Sequence, residues 1–354
     1  MRSGAAPKKK TLPFAEKPAE AKLRSEAAPR PRERNCSVAR TVGILSDAWA
    51  FLVIREAFFG ARRFKTFMET LGLPRATLTE RLKRLTQQGI FRSVRYSDTS
   101  QRVEYRLTKM GLELYPSFIA LMQFGDRWLS PSEGPPLRLI HSACGCECRP
   151  LVACSVCLDG VTAAEVAYRD GPGAGYTHVK PTKRARRSSD PSQFLRGRPS
   201  SVSRTLQFIG DRWSFLIIRE AFFGARRFDR LQSELNIASN ILTDRLARLV
   251  ATGIFERRKY QSQPDRFEYR LTEMGKDLYG SLIMMMSWGD HWLSRNGPPL
   301  LLTHHACGKD FTPVVICDRC RQPIDPHAMR YQINYDARAF GTPDVDNPAL
   351  AGRI

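Results

Sequence analysis

Apolar residues recur along this chain first at helical spacing, then at strand spacing, then at helical spacing again. Val42, Leu45, Trp49, Leu52 and Val53 share one helical face. The spacing predicts a helical segment that runs to about Phe59 and is stopped by Gly60. A short helix is predicted over about Phe64 to Leu71, and a turn containing Gly72 and Pro74 leads into the next. There Leu78, Leu82 and Leu85 form the buried stripe, and Gly89 ends the helix. Two β-like runs follow, Arg92 to Tyr96 and Arg102 to Leu107, with polar Ser97 to Gln101 as a hairpin tip. Thr108 is placed to cap a last helix that carries Leu114, Phe118, Leu121, Met122, Gly125 and Trp128. Helices, hairpin and further helix make a winged helix-turn-helix pattern. Its second short helix can enter a major groove while the first braces it on the backbone.

The whole pattern is then run again. Trp49 to Phe64 matches Trp213 to Phe228 almost residue for residue. At the same offset, Leu78 to Leu82 matches Leu242 to Leu246, and Glu104 to Thr108 matches Glu268 to Thr272. One residue drops out after Leu129 and Leu293, and the match resumes at His141 and His304 before fading beyond Tyr168 and Tyr331. This is a tandem duplication. The predicted fold is therefore mainly α with small β (α+β), as two winged helix-turn-helix domains in tandem.

The residues also resemble a known family, the HxlR-type bacterial regulators. The resemblance rests on Cys36, Trp49 with its apolar run to Arg55, Gly60, Arg63-Phe64, Leu78-Thr-x-Arg-Leu82, Gly89 and Glu104-Tyr-x-Leu-Thr108. The second copy repeats the series from Trp213 to Thr272 without the cysteine. The resemblance implies a dimeric DNA-binding transcriptional regulator whose last helix helps to dimerise. It also implies that a cysteine near Cys36 can sense oxidants or electrophiles; the plainer reading of Cys36 is a small buried residue. Two features depart from the family pattern. Members usually carry one module, and the basic residue before the module's Trp is Ala48 in the first copy, although Arg212 keeps it in the second.

Charge points the same way. With 56 Lys+Arg against 35 Asp+Glu, the chain carries +21, which favours a polyanion such as double-stranded DNA. Residues 1–35 read as a disordered basic tail and 177–200, with Lys183 to Arg187, as a basic linker; each carries +6. The divisions expected between them are a first winged domain at 36–130, a zinc-ribbon-like appendage at 131–176, a second winged domain at 201–294, a second appendage at 295–340 and a tail at 341–354. No apolar run approaches the ~20 residues that span a bilayer, and no signal segment precedes the first module. A cytoplasmic protein with no membrane partner is expected. Nucleophile–base clusters and phosphate-cradling glycine loops are missing, so no enzyme is expected.

On the first recognition helix Arg75, Thr77, Thr79, Arg81 and Lys83 lie off the leucine stripe. On the second, Ser239, Asn240, Thr243, Asp244 and Arg245 do so. Arg suits guanine, Asn suits adenine, and Ser or Thr suits bases or phosphates. Arg102 and Arg266 on the wings are candidate backbone contacts. Arg81 and Arg245 could instead pair with acidic neighbours and serve packing, and Arg62-Arg63 and Arg226-Arg227 could be helix-start charges. Because the two sets differ, the copies could prefer different half-sites.

His141-x2-Cys144-x9-Cys154-x2-Cys157 recurs as His304-x2-Cys307-x9-Cys317-x2-Cys320. One histidine and three thiolates in each copy make a natural tetrahedral set for structural zinc. Cys146 and Cys148 face Lys309 and Phe311 in the other copy, so they are not required ligands. The function expected is sequence-specific transcriptional regulation by an intramolecular pseudo-dimer, or by a homodimer of tandem chains, with an unknown effector. The alternative is a non-specific architectural DNA-binding protein.

Overall fold

The computed structural model describes residues 32–45, 47–95, 102–132, 134–178, 194–195 and 197–336. Most of the basic tail, the hairpin tip at 97–101, the Lys183 to Arg187 run and the C-terminal tail lie outside the described residues. The first copy runs β1 (Arg32–Arg34), α1 (Ser37–Leu45), α2 (Ala48–Phe58), α3 (Phe64–Leu71), α4 (Arg75–Gln87), β2 (Phe91–Arg95), β3 (Val103–Leu107), α5 (Lys109–Leu112) and α6 (Tyr115–Trp128). Strands β4 (Leu137–His141), β5 (Glu147–Cys148), β6 (Leu151–Cys154), β7 (Val166–Asp170) and β8 (Tyr176–His178) follow. The second copy repeats this as α7 (Ser201–Ile209), α8 (Arg212–Phe222), α9 (Phe228–Leu235), α10 (Ser239–Ala251), β9 (Phe255–Ser262), β10 (Asp265–Leu271), α11 (Glu273–Asp277) and α12 (Tyr279–Leu293). It closes with β11 (Leu300–His304), β12 (Lys309–Phe311), β13 (Pro313–Ile316) and β14 (Met329–Ile333). The chain is α+β, with two helix-turn-helix units in tandem.

Local chemistry breaks two of the predicted helices. The helix expected to run through to Phe59 is divided before Asp47, whose backbone is extended and whose carboxylate accepts the Ala50 N–H at 3.1 Å as the N-cap of α2. Asp211 does the same for α8, accepting from Trp213 N and Ser214 N at 3.0 and 3.2 Å. Thr108 caps only the short α5, through Gly111 N at 3.2 Å. Helix α6 starts afresh with Pro116 in its first turn, where the missing N–H leaves no bond unmade. Elsewhere the leucine stripes go where their spacing sends them: Leu78, Leu82 and Leu85, and Leu242, Leu246 and Leu249, are all buried.

The two copies share one core. Helix α1 lies along α12, and α7 lies along α6 in the same way. The approach is close because Gly125 and Gly289 have no side chain. A Cβ on Gly125 would sit 2.3 Å from Ser201 O, and one on Gly289 would sit 2.6 Å from Ser37 O. Reciprocal hydrogen bonds cross the joint: Thr41 Oγ1 donates to Met285 O and Thr205 Oγ1 to Leu121 O, both at 2.9 Å. Trp128 donates to Asp277 and Trp292 to Glu113, both at 2.8 Å. Phe51 stacks on Phe215 at 5.8 Å.

Parts of the expected tail and linker are ordered against the modules. Strand β1 pairs with β8. Phe194 is buried edge-on against Trp49 at 5.0 Å, and Arg198 is buried against Glu56 at 2.8 Å. Both residues are large enough to cover apolar surface that α2 leaves open.

Candidate nucleic-acid interface and metal centres

In each copy a tight turn presents the second helix of the pair to solvent. Gly72 takes φ 60° and Asn236 φ 45°, the left-handed conformation that ends α3 and α9. Helices α4 and α10 then start with no side-chain cap. Arg75, Thr79 and Lys83 are exposed on α4, with Thr77 half-buried; Ser239, Asn240 and Thr243 are exposed on α10. The Arg75 guanidinium lies 5.3 Å from the Phe64 ring, which steadies it beside the helix start. Thr79 and Thr243 each donate back to the carbonyl four residues earlier, at 2.8 and 2.9 Å, leaving their oxygens as acceptors. Arg102 and Arg266 are exposed on the wings.

Two sequence candidates are tied into the fold by ion pairs. Arg81 Nε donates to Asp47 at 3.1 Å and also pairs with Glu80. Arg245 Nε donates to Asp211 at 3.0 Å and also pairs with Asp244. Each arginine thus ties its recognition helix to the N-cap of the helix behind it. Burial acts to lower both guanidinium pKa values, yet these carboxylate partners raise them. Asp244 is taken up in the same pair. Sequence reading overlooked the wing strands, where Arg92, Arg95, Arg257, Arg258 and Lys259 are exposed. The signal was available as the density of basic residues in the two wing runs, Arg92 and Arg95 in the first and Arg257 to Lys259 in the second.

The metal-ligating residues all come together, but not in the grouping that linear spacing implied. One quartet is His141, Cys144, Cys317 and Cys320; the other is Cys154, Cys157, His304 and Cys307. Each takes its His-x2-Cys from one copy and its Cys-x2-Cys from the other, which corrects the expectation of one closed set per copy. The reason is strand exchange. β6 pairs antiparallel with β13, Cys154 opposite Pro313 and Leu151 opposite Ile316. That register carries each Cys-x2-Cys turn to the far end of the ribbon, beside the other copy's His-x2-Cys. β7 joins β11 and β12, while β14 joins β4 and β5, so both three-stranded sheets are also mixed.

The geometry suits a tetrahedral ion. Cys144 Sγ to Cys317 Sγ and Cys154 Sγ to Cys307 Sγ are both 3.9 Å. His141 Nδ1 lies 3.7 and 3.2 Å from Cys144 and Cys320, and His304 Nδ1 lies 3.8 and 3.3 Å from Cys307 and Cys157. Ligands around tetrahedral zinc stand about 3.8 Å apart for two sulfurs and about 3.5 Å for sulfur and nitrogen. Cys148 reaches Cys317 and Asp318 as well. Burial, then the neighbouring Cys317, pushes its thiol up to about 12. Cys146 is exposed.

The model of the HxlR-like helix-turn-helix matches residues 44–133 and again 208–297, together just over half of the sequence. The chain belongs to the HxlR-like helix-turn-helix family. Among its HxlR-like relatives is an uncharacterized HTH-type transcriptional regulator of Mycobacterium tuberculosis. It is 47% identical over 137 residues, spanning 38% of this chain and 85% of the relative. Another, from Synechocystis, is 39% identical over 95 residues, 27% of this chain and 70% of the relative. The solved structure titled as the redox regulator HypR in its reduced form shares 33% identity over 26% of this chain and 92% of that one, with a TM-score of 0.25. The two curated matches are each no longer than one copy, so the doubling lies outside either match. Among the described residues, no helix is long and apolar enough to cross a membrane.

Proposed function

We propose that this chain is a transcriptional regulator that binds double-stranded DNA sequence-specifically with α4 and α10, its two copies acting as an intramolecular pseudo-dimer. The observation that carries the reading is the pair of solvent-facing recognition helices on one shared core, each with basic, hydroxyl or amide side chains free of the leucine stripe. The relatives' names as HTH-type transcriptional regulators support it. Arg75, Thr77, Thr79 and Lys83 would read one half-site, and Ser239, Asn240 and Thr243 the other, with Arg102 and Arg266 on phosphates. Arg81 and Arg245 would position the helices and touch no base. Each exchanged quartet would hold one structural zinc; with four protein ligands it offers no open position for catalysis.

Duplex titration at fixed salt tests this. Asn240→Ala or Arg75→Ala should cost about 1–3 kcal/mol at a selected site and blur one base position. Removal of residues 1–31 should weaken selected and random duplexes alike and lower the salt slope. Identical effects of the two kinds of change on both duplexes would leave only a non-specific architectural protein.

A further inference from the structure

The two copies differ at one buried place. A cavity of about 80 Å³ lies between the start of α1, helices α8 and α12, and strands β7 and β11, walled by Tyr168, Phe223, Leu282, Met286 and Leu302. Its polar side chains are Cys36, Ser37, Tyr168, Tyr279 and Arg219, of which only Arg219 carries a charge. Arg219 is 6% exposed. Its Nε donates to Glu220 at 2.9 Å and its Nη2 pairs with the same carboxylate. Its Nη1 has no hydrogen-bond partner among the described residues, and the Cys36 thiol lies against the same guanidinium.

The first copy shows what completes such a site. There Arg55 also pairs with Glu56, but its Nη1 donates to Ser203 Oγ. The counterpart of Ser203 in the other joint is Ala39, which has no acceptor. In the first copy Arg198 also lies across Phe59 at 4.5 Å and is buried on Glu56. Its counterpart, Arg34, lies 5.2 Å over Phe223 and is exposed. The first joint therefore answers its core arginine with a side chain of its own, whereas the second keeps a cavity and an unanswered Arg219 Nη1. A buried donor without a partner costs about 1–3 kcal/mol, so it is a standing demand for an acceptor.

We propose that this cavity is an effector site for a small, largely apolar molecule whose one acceptor oxygen docks on Arg219 Nη1. Glu220 already balances the guanidinium, so an uncharged carbonyl fits better than a carboxylate, which would leave a net negative cluster in an apolar wall. A water needs only roughly 10–15 Å³ of such volume, so the space exceeds one solvent molecule, and Met286 can shift to admit a single ring. The walls belong to the elements that hold the second module against the first, so occupancy would act on the spacing of α4 and α10.

Calorimetric titration of the full chain with benzamide, benzoate and toluene tests the site without DNA. Benzamide should bind once per chain and more tightly than either other probe. Ala39→Ser supplies the hydroxyl that the first copy uses, and it should weaken benzamide at least fivefold. Absence of binding by all three probes, equal binding in Ala39→Ser, or tighter binding of benzoate than benzamide would each overturn the proposal.

Discussion

At the scale of single residues, the clearest claims concern the cysteines. Zinc analysis of freshly reduced protein should give about two ions per chain. Cys154→Ser and Cys317→Ser should each remove about one ion, and Cys146→Ser none. Because the quartets are exchanged, Cys144→Ser and Cys317→Ser strike the same centre; their double variant should lose one zinc rather than two. A loss of both ions there, with one kept in Cys144→Ser/Cys154→Ser, would restore the grouping by copy. The ligand identities were legible in the sequence because the second copy acted as a control, removing Cys146 and Cys148. Their grouping was not, since linear spacing says nothing about which ribbon pairs with which; only the register of β6 on β13 decides it. The structural role of Arg81 and Arg245 was legible only as an alternative. It needed Asp47 and Asp211 to be seen capping a helix.

At the scale of elements, the joint between α1 and α12, and between α7 and α6, carries a pH dependence. Burial raises Asp126 and Asp290 to about 6, against the lowering effect of Ser201 and Arg204 on the first and of Ser37 and Arg40 on the second. A folded pKa above the unfolded value means that the folded state binds protons more strongly. The ionised pair therefore costs stability above about pH 6, and the cost is relieved as pH falls through 6 towards 4. Asp126→Asn/Asp290→Asn should be more stable than the parent at pH 7.5 by on the order of 2 kcal/mol per site, an advantage that shrinks at pH 5. An advantage of the same size at both pH values, from denaturant midpoints, would show these carboxyls to be ordinary. The N-caps make a second test. Asp211→Ala removes the cap of α8 and the anchor of Arg245 together, so it should cost about 2 kcal/mol, more than a cap alone at about 1. The apolar stripes predicted where these helices lie, but the breaks before Asp47 and Tyr115 were hidden because the stripe continues across them.

For the whole molecule, duplication was the most legible feature of the sequence, and exchange of strands between the copies the least. Asp47 and Asp211 meet in a short antiparallel bridge, so the anchors of the two recognition helices share one backbone contact. With the exchanged quartets and the shared core, this supports the proposed pseudo-dimer, in which each copy serves as the other's partner. Light scattering at micromolar concentration should then give a mass near that of one chain, 40.2 kDa. A stable two-chain species would instead mean four winged helices per assembly. The central claim is sequence-specific reading by two unlike helices, and selection from a random duplex pool at fixed, near-physiological salt tests it most directly. The account predicts an enriched asymmetric site, two different half-sites about one DNA turn apart, lost on one side only in Asn240→Ala. A pool that stays random, or a perfect palindrome equally damaged on both sides by that change, would contradict it.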